Sequence, residues 1–304
     1  MSKRNSKLKL YLIQKLYKSL YWINPRYAAD LMYYHAFHTR LNLKNPRNLI
    51  EKQTWLQFNS DTSMWTLCAD KYRVRDYVKG KGLENLLTTL YGQWENVNDI
   101  DFNKLPESFV MKANNGCGTV LPIKDKSTIN VKNLKKTLKE WIKHPYGYVA
   151  AQFHYLPIKR CIVAEQLLEE EGEMKALSPH SLVDYKIWCF NGQPECILVV
   201  FDRAPGFTQQ AVYDLEWNDI SSKVFSADYY RKPLPKPKNL DKMIEYAKIL
   251  SKDFLEVRTD FYNIDGKIYF GELTFTAGYG DLTIQYYEYL GSKFELPQKN
   301  AGDK

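Results

Sequence analysis

The sequence predicts an α+β protein, because two different patterns occupy two parts of the chain. Apolar residues at helical spacing dominate the first hundred residues, and Pro106 ends that region. After it come short segments rich in β-branched and aromatic residues, up to a hairpin within residues 257–280. A helical part followed by a strand-rich part is typical of the α+β class. The 304 residues could form two ordinary domains or one large domain.

We expect four segments along the chain. A basic amphipathic helix (1–24) precedes a mainly helical N-terminal domain (25–105), a strand-rich region (106–290) and a flexible tail (291–304). In the strand-rich region, we predict strands at 108–113, 120–124, 161–168, 185–190 and 195–203, and helices at 131–143 and 240–253. The acidic loop at 169–180 is expected to be exposed and mobile.

The first segment concentrates positive charge. Residues 1–29 contain seven Lys or Arg and no acid, in a chain of formal net charge +8. Leu12, Leu16 and Leu20 fall at helical spacing, so one face of this helix is apolar. Such a helix can contact an anionic membrane surface, or it can pack on the body of the protein, which is the commoner arrangement. No nucleic-acid-binding motif accompanies the charge, so we expect no nucleic-acid partner.

The remaining composition indicates a cytoplasmic protein. No apolar run approaches the length that spans a bilayer, and no signal peptide with a small-residue cleavage site is visible. The five cysteines have no regular spacing, which argues against a disulfide framework or a zinc site. Cys68, Cys161, Cys189 and Cys196 lie among apolar or aromatic residues and are expected in the core.

The hairpin carries two acids that could hold a metal. Asp265-Gly266 is a strong hairpin turn signal, and apolar segments flank it on both sides. Folding on this turn would bring Asp260 and Glu272 to the same end of a sheet. Two carboxylates on rigid strands suit Mg²⁺, which leaves its other positions to water and phosphates. The alternative is an ordinary surface hairpin with two solvated acids.

A second candidate site follows the first predicted strand. Lys112 lies on that strand, and Gly116 and Gly118 lie in the loop after it. Glycines allow backbone amides to approach a phosphate closely, and the lysine adds a point charge. The pattern is not a Walker motif, and a plain glycine turn between two strands is its commoner cause.

Two further strands carry polar residues. Glu165 lies where a strand runs into the acidic loop, a place where backbone groups and a carboxylate can recognise a nucleoside. Alternation puts Asp184 and Lys186 on one face of the next strand. They could contact a ribose and a phosphate, or form a surface ion pair that contributes little. Arg203, at the end of the following strand, offers a fork suited to phosphate or carboxylate.

The order of these elements resembles the ATP-grasp superfamily, whose members clamp ATP between two α+β subdomains. The resemblance covers residues 106–280, and the run RTDFYNIDGKIYFGELTF is similar to the superfamily's metal-binding end. Thr274 stands where an asparagine is usual. More narrowly, NLIEKQTWL, CADKYRVRDYV, DYKIWCFNG and YFGELTF resemble the TupA-like ATP-grasp family, named for a protein of teichuronopeptide synthesis.

The resemblance implies roles for individual residues. It implies ATP and Mg²⁺ as cofactors. Nucleotide binding would fall to Lys112, Gly116, Gly118, Glu165, Leu167, Asp184 and Lys186, and metal binding to Asp260, Glu272 and Thr274. Arg203 and Arg258 would steady an acyl phosphate or the incoming carboxylate. The acyl partners would contact Lys71, Arg73, Arg75 and Gly278, although the three basic residues could also be a charged helix face.

The resemblance also implies a reaction. It is the ATP-dependent joining of an amine or amino acid to a uronic acid or similar sugar of a cell-surface polysaccharide, in a small molecule or a lipid-linked glycan. The alternatives are a sugar kinase on the same fold, a glycosyltransferase as some relatives are labelled, and a non-catalytic assembly protein held at the inner face of the membrane.

Overall fold

The computed structural model describes residues 3–148, 151–225, 234–276 and 282–298. The helices are α1 (Lys3–Ile23), α2 (Pro25–Phe37), α3 (Leu49–Asn59), α4 (Ser63–Ala69), α5 (Val74–Gly80), α6 (Val131–Lys143), α7 (Gly172–Leu177), α8 (Ser221–Val224), α9 (Leu240–Ser251) and α10 (Ile284–Gly291). The strands are β1 (Leu90–Trp94), β2 (Phe109–Ala113), β3 (Val120–Ile123), β4 (Ile162–Glu165), β5 (Asp184–Phe190), β6 (Gln193–Ala204), β7 (Phe207–Tyr213), β8 (Glu256–Ile264) and β9 (Lys267–Thr274). Among the helices described, none is both long and apolar enough to cross a lipid bilayer.

The strands form two antiparallel sheets, which confirms the α+β prediction. The smaller sheet has the order β1-β4-β2-β3, and the larger has the order β7-β6-β5-β8-β9. Helix α6 packs on β2, and α9 packs on β5, β6 and β8. The predicted strands at 108–113, 120–124, 161–168, 185–190 and 195–203 all correspond to observed strands, and α6 has the predicted bounds.

The predicted hairpin is confirmed as β8 and β9. Asp265 and Gly266 form its turn with φ angles of 48° and 93°. Positive φ at both positions is what a two-residue type I′ turn requires, and it matches the twist of the flanking strands. The turn therefore fixes one end of the pairing between the two strands.

Local signals also set the ends of the N-terminal helices. Asn48 and Glu51 form a capping box at the start of α3, with the Asn48 side chain accepting from the Glu51 amide at 3.0 Å. Asn24 caps α2, and Pro25 occupies its first position, where the missing amide hydrogen is not needed. Helix α3 is buried along most of its length and packs against α10.

The structure adds elements that the sequence analysis did not identify. β1 lies within the segment expected to be mainly helical, and it pairs with β4. β7 forms the edge of the larger sheet. The loop at 169–180 contains α7, and Glu170 and Ser178 at its two sides are buried. The expectation that this whole loop is exposed is therefore wrong.

Two separate hydrophobic cores lie on the two sheets. The smaller core joins β2 and β4 to α6 through buried side chains such as Met111, Ala164 and Leu138. The larger core joins the five-stranded sheet to α3, α9 and α10. Cys68, Cys189 and Cys196 belong to the larger core, and Cys161 is also buried, as predicted. The cleft described next lies between the two sheets.

Candidate active site

The β8–β9 pairing brings the two hairpin acids together. Asp260 lies directly opposite Glu272, and a bulge at this point shifts the register by one residue. Gly271 is the extra residue, and a Cβ on it would lie 2.9 Å from the Asp260 carbonyl oxygen. Only glycine allows so close a backbone approach without displacement. The bulge therefore helps to place Glu272 opposite Asp260.

Asp260 is a buried acid surrounded by cations. Its carboxylate accepts from Arg258 Nε and Nη2, both at 2.8 Å, and from Lys186 Nζ at 2.5 Å. The Asp260 side chain is 1% exposed. Burial opposes the charge of Arg258, but Asp260 and Glu272 outweigh it and raise the Arg258 pKa above its usual value. These groups form a charged cluster on one face of the sheet.

Glu272 receives a cation from outside the sheet. Lys71 Nζ donates to Glu272 Oε2 at 3.1 Å. Burial alone would raise the pKa of Glu272, but Lys71, Lys186 and Arg258 outweigh it and lower the pKa to about 2. Glu272 is therefore ionised at neutral pH, and only one of its two oxygens is engaged by these hydrogen bonds.

Asp184 extends the cluster towards β6. It lies 3.7 Å from Lys186 Nζ and accepts from Arg203 Nη2 at 3.0 Å. The predicted common face of Asp184 and Lys186 is thus confirmed. Burial raises the pKa of Asp184 in spite of Lys186 and Arg203. The result is a continuous chain of ion pairs from Arg203 through Asp184, Lys186 and Asp260 to Arg258.

The smaller sheet supplies the opposite wall of the cleft. Glu165 on β4 accepts from Lys112 Nζ at 2.9 Å and from Arg75 Nη1 at 3.2 Å. Arg75 Nη2 also donates to the carbonyl oxygen of Thr88 at 2.7 Å. Two cations therefore share one carboxylate, and this wall keeps an excess of positive charge.

The glycine loop connects the two walls. Gly116 and Gly118 have φ angles of 81° and 75°, a left-handed conformation that favours glycine. Lys71 Nζ donates to the Gly116 carbonyl oxygen at 2.8 Å while it also contacts Glu272. The loop is thus tied to a hairpin acid through one ammonium group.

The cleft between the sheets has a volume of about 510 Å³, which is suitable for a nucleotide-sized ligand. Most of the residues proposed from the sequence meet there. The cleft is lined by Lys71, Arg75, Lys112, Gly118, Glu165, Leu167, Asp184, Lys186, Arg203, Asp260 and Glu272.

Among the described residues, four of the proposed ones are not part of the cleft lining: Arg73, Gly116, Arg258 and Thr274. Arg73 is turned away and pairs with Asp70. Arg258 lines a neighbouring cavity, and the Thr274 hydroxyl accepts from it at 3.2 Å. Gly278 lies outside the described residues. The roles of all these residues remain predictions.

The cleft also contains residues that sequence reasoning missed. Tyr262 lines it from β8, and Val110, Val120 and Pro122 line it from β2 and β3. One signal was available, because Tyr262 follows Arg258 and Asp260 at two-residue spacing and so shares their face. The apolar residues carried no comparable signal. They give the cleft a surface against which a planar ring can pack.

The donor set fits a magnesium ion that is held together with phosphate oxygens. Among the described residues, no group of three or more His, Cys, Asp or Glu side chains is close enough to form a metal cage. Mg²⁺ does not need one, since it usually takes one or two carboxylates and completes its shell with water and phosphate. Glu272, ionised and with a free oxygen, would hold it first. Asp260 would join only by sharing its carboxylate with Arg258 and Lys186.

Two antiparallel sheets that enclose a cleft with cations on one wall and opposed carboxylates on the other form the ATP-grasp fold. A family model described as TupA-like ATPgrasp matches residues 51–295, which is most of the chain. The protein therefore belongs to the TupA-like ATP-grasp family.

Similar solved structures are more distant. A D-alanine–D-alanine ligase from Bacillus anthracis, complexed with ATP, is 14% identical with a TM-score of 0.44, and the match covers 77% of this chain and 64% of that one. The corresponding ligase from Helicobacter pylori is 15% identical with a TM-score of 0.41, over 84% and 68%. N5-carboxyaminoimidazole ribonucleotide synthetase is 14% identical with a TM-score of 0.41, over 75% and 51%. The chain thus spans less than two thirds of the first and third of these proteins. Comparison with curated protein sequences gives no match.

Proposed function

We propose that the protein is an ATP-dependent ligase that joins a carboxylate to an amine through an acyl phosphate. The observation that carries the proposal is that two different charged clusters face each other across one cleft. One wall presents Lys112 and Arg75 around a single acid, and the other presents Asp260 and Glu272 among cations. The first suits the phosphates of a nucleotide, and the second suits a metal and a phosphoryl group in transfer.

The chemistry proceeds in two steps. A carboxylate oxygen of the acid bonds to the γ-phosphorus of ATP while the bond from that phosphorus to the β–γ bridging oxygen breaks. This gives ADP and an acyl phosphate. The amine nitrogen then attacks the carbonyl carbon, the C–O bond to phosphate breaks, and phosphate leaves with the electron pair. Phosphate can take the proton that the amine loses, so the protein need not supply a general base.

The residues of the cleft meet the needs of these steps. Lys112 and Lys186 neutralise phosphate charge from opposite walls, which lowers the repulsion between ATP and an incoming carboxylate. Arg258 and Arg203 offer donors to the acyl phosphate, and the raised pKa of Arg258 keeps it charged. Magnesium, held by Glu272 and Asp260 and more weakly by Thr274, would supply further neutralisation of the phosphates.

We further propose that the acid is a uronic acid or related sugar of a cell-surface polysaccharide, free or lipid-linked, and that the amine is an amino acid or small amine. The support is the membership in the TupA-like family, whose name refers to teichuronopeptide synthesis. If the substrate is lipid-linked, the protein would act at the inner face of the cytoplasmic membrane.

Trapping with hydroxylamine tests the reaction. The protein is incubated with ATP, Mg²⁺, a panel of sugar acids and amino acids, and hydroxylamine in place of the amine. An acyl phosphate would yield a hydroxamate and release ADP and phosphate in equal amounts. Asp260→Asn, which keeps the size of the side chain and removes its charge, is expected to abolish the product without unfolding the protein. A phosphorylated acceptor with no hydroxamate would instead establish a kinase.

The position of α1 supports a peripheral membrane contact. Tyr17 is buried, and Tyr21 contacts Tyr148 and Phe153, so one face of the helix packs on the protein. Leu12 and Leu16 remain about half exposed. This apolar surface lies within residues 1–29, which contain seven Lys or Arg and no acid. Their positive charge complements an anionic bilayer.

Vesicle sedimentation tests this contact. The double variant Leu12→Glu/Leu16→Glu is expected to lose most of its binding to anionic vesicles. Val131→Glu, a similar change at an exposed apolar residue of α6, should bind like the wild type. Equal binding by all three proteins would contradict the contact.

A further inference from the structure

A second cavity lies beside the cleft on the same face of the five-stranded sheet. Its volume is about 270 Å³. That is slightly below the range typical of drug-sized ligands, so it suits a molecule of about one ring. Lys186 and Arg203 line both spaces, which therefore share one wall. A molecule in the cavity would have one end beside the cluster that we assign to phosphoryl transfer.

The cavity has a mixed lining. Trp188, Leu198 and Val200, from β5 and β6, provide apolar surface. Thr208 and Gln210, from β7, provide a hydroxyl and an amide. Trp188 follows Lys186 by two residues on β5, and the two side chains share a face of the sheet. A ligand here would meet apolar side chains next to hydrogen-bonding groups.

One buried donor in this lining has no hydrogen-bond partner among the described residues. Trp188 is 1% exposed, and its Nε1–H makes no hydrogen bond with any of the described residues. A donor that is buried and unpaired is unfavourable, and most such groups in folded proteins are satisfied. A ligand with an acceptor oxygen would satisfy it.

The charges at the shared wall favour an anion. Lys186 and Arg258 are both engaged with Asp260. Arg203 is engaged with Asp184 through Nη2 alone, and its side chain is 53% exposed. Its guanidinium therefore has donors left for a ligand, in the fork geometry that suits a carboxylate.

We infer that this cavity binds the carboxylate substrate, a small acid with its carboxylate at Arg203, an acceptor oxygen at Trp188 Nε1 and polar groups near Thr208 and Gln210. The inference rests on the proposed function and names the place of the acid within it. The site is separate from Lys71 and Arg75, which line the nucleotide cleft. Trp188 and Gln210 would then determine which acid is accepted.

Fluorine NMR on the full chain tests the binding without any turnover. The seven tryptophans are replaced by 5-fluorotryptophan, and Trp188→Phe and Trp217→Phe assign two of the resonances. Trp217 is an internal control, since its Nε1–H already donates to the Leu234 carbonyl oxygen at 3.2 Å. The probes are glucuronate, galacturonate, glutamate and alanine, each with its neutral counterpart, such as glucuronamide or N-acetylalaninamide.

We expect at least one acid to shift the Trp188 resonance, with its neutral counterpart and the Trp217 resonance giving no response. No shift with any acid, or equal shifts with the neutral compounds, would overturn the inference. If acids shift Trp188 but no hydroxamate forms in the trapping assay, the ligase proposal fails while the acid site stands.

Kinetics then test the role of the site in the reaction. For an acid that supports hydroxamate formation, Trp188→Phe is expected to raise the KM of the acid roughly tenfold, because the hydrogen bond from Trp188 Nε1 to an oxygen of the acid is lost. The KM of ATP should not change, and Trp217→Phe should leave both constants as in the wild type. An unchanged KM of the acid in Trp188→Phe would overturn the assignment.

Discussion

The two walls of the cleft differ in how they balance charge. At the smaller sheet, one acid, Glu165 of β4, is shared by Lys112 of β2 and Arg75 of α5. On the larger sheet, Asp184 and Asp260 are interleaved with cations, and Glu272 takes a further cation, Lys71, from the segment before α5. Two cations around a single acid keep donors for phosphates, whereas a wall with three acids also offers carboxylates to a metal. On this basis we propose that nucleotide binding and chemistry fall to different sheets.

The two walls also differ in how they are supported. The smaller sheet has its own core with α6, and the larger sheet shares its core with the N-terminal helices. Contacts that join the smaller sheet to the rest include the polar ones of Lys71 and Arg75. Polar contacts can be replaced by contacts with water or a ligand, and this costs less than opening a packed core. The smaller sheet is therefore the part expected to adjust when a nucleotide binds.

The largest expected effect comes from one substitution on each wall. Glu272→Gln should lower kcat by roughly 10²–10³, because electrostatic stabilisation of the transferring phosphoryl group is lost, with little change in the KM of ATP. Lys112→Met should mainly raise the KM of ATP. Steady-state kinetics of ADP release measure both. If both variants change the same kinetic constant, kcat or the KM of ATP, the division between binding and chemistry is wrong.

A second prediction uses the acid on β8 that lies outside the cleft network. Glu256 is 1% exposed, and burial raises its pKa from a usual 4.5 to about 8, although Gln53 and Arg258 act in the opposite direction. Between these pH values the folded protein holds a proton that the unfolded chain has lost. The free energy of unfolding therefore falls as pH rises through this window, with a limiting slope of about 1.4 kcal/mol per pH unit.

Glu256→Gln removes this dependence. Urea unfolding at pH 5 should give similar stabilities for the variant and the wild type, whereas at pH 8 the variant should be the more stable by at least about 1 kcal/mol. Glu245→Gln, on an exposed position of α9, should follow the wild-type profile. A variant that loses stability with pH as steeply as the wild type would show that Glu256 is ionised in the fold.

The smallest effect is expected from the glycine loop, where two positions form a matched pair. Gly116 and Gly118 both have positive φ, so alanine costs about 1 kcal/mol at each. A Cβ at Gly116 would also lie 2.4 Å from Cγ of Tyr146, whereas one at Gly118 would meet nothing within 4 Å. Thermal unfolding should show the larger loss for Gly116→Ala, with a higher KM of ATP. Equal losses would mean that Tyr146 moves aside freely.

Local patterns in the sequence predicted the part of the site that depends on neighbouring residues. The Asp265-Gly266 turn brought Asp260 and Glu272 to the same end of the sheet, and strand alternation placed Asp184 beside Lys186. They also gave α6 and the principal strands of both sheets.

Contacts across the chain could not be predicted in this way. Lys71 meets Glu272 across 201 residues, and nothing near either residue indicates the pairing. The strand β1 depends on β4 for its hydrogen bonds, and its short sequence has no alternation to reveal it. The acid cavity is formed by several strands, so its shape exists only after the sheet is assembled.

The bulge at Gly271 has a consequence for how this family can vary. Gly271 directly precedes Glu272, so the bulge sets the pairing of Asp260 with Glu272 at the site itself. The hairpin turn lies several residues further along both strands. A change in the length or composition of the turn can therefore be absorbed between the turn and the bulge, without moving the acids. Gly271 is therefore the position at which a substitution would most directly disturb the opposition of the two acids.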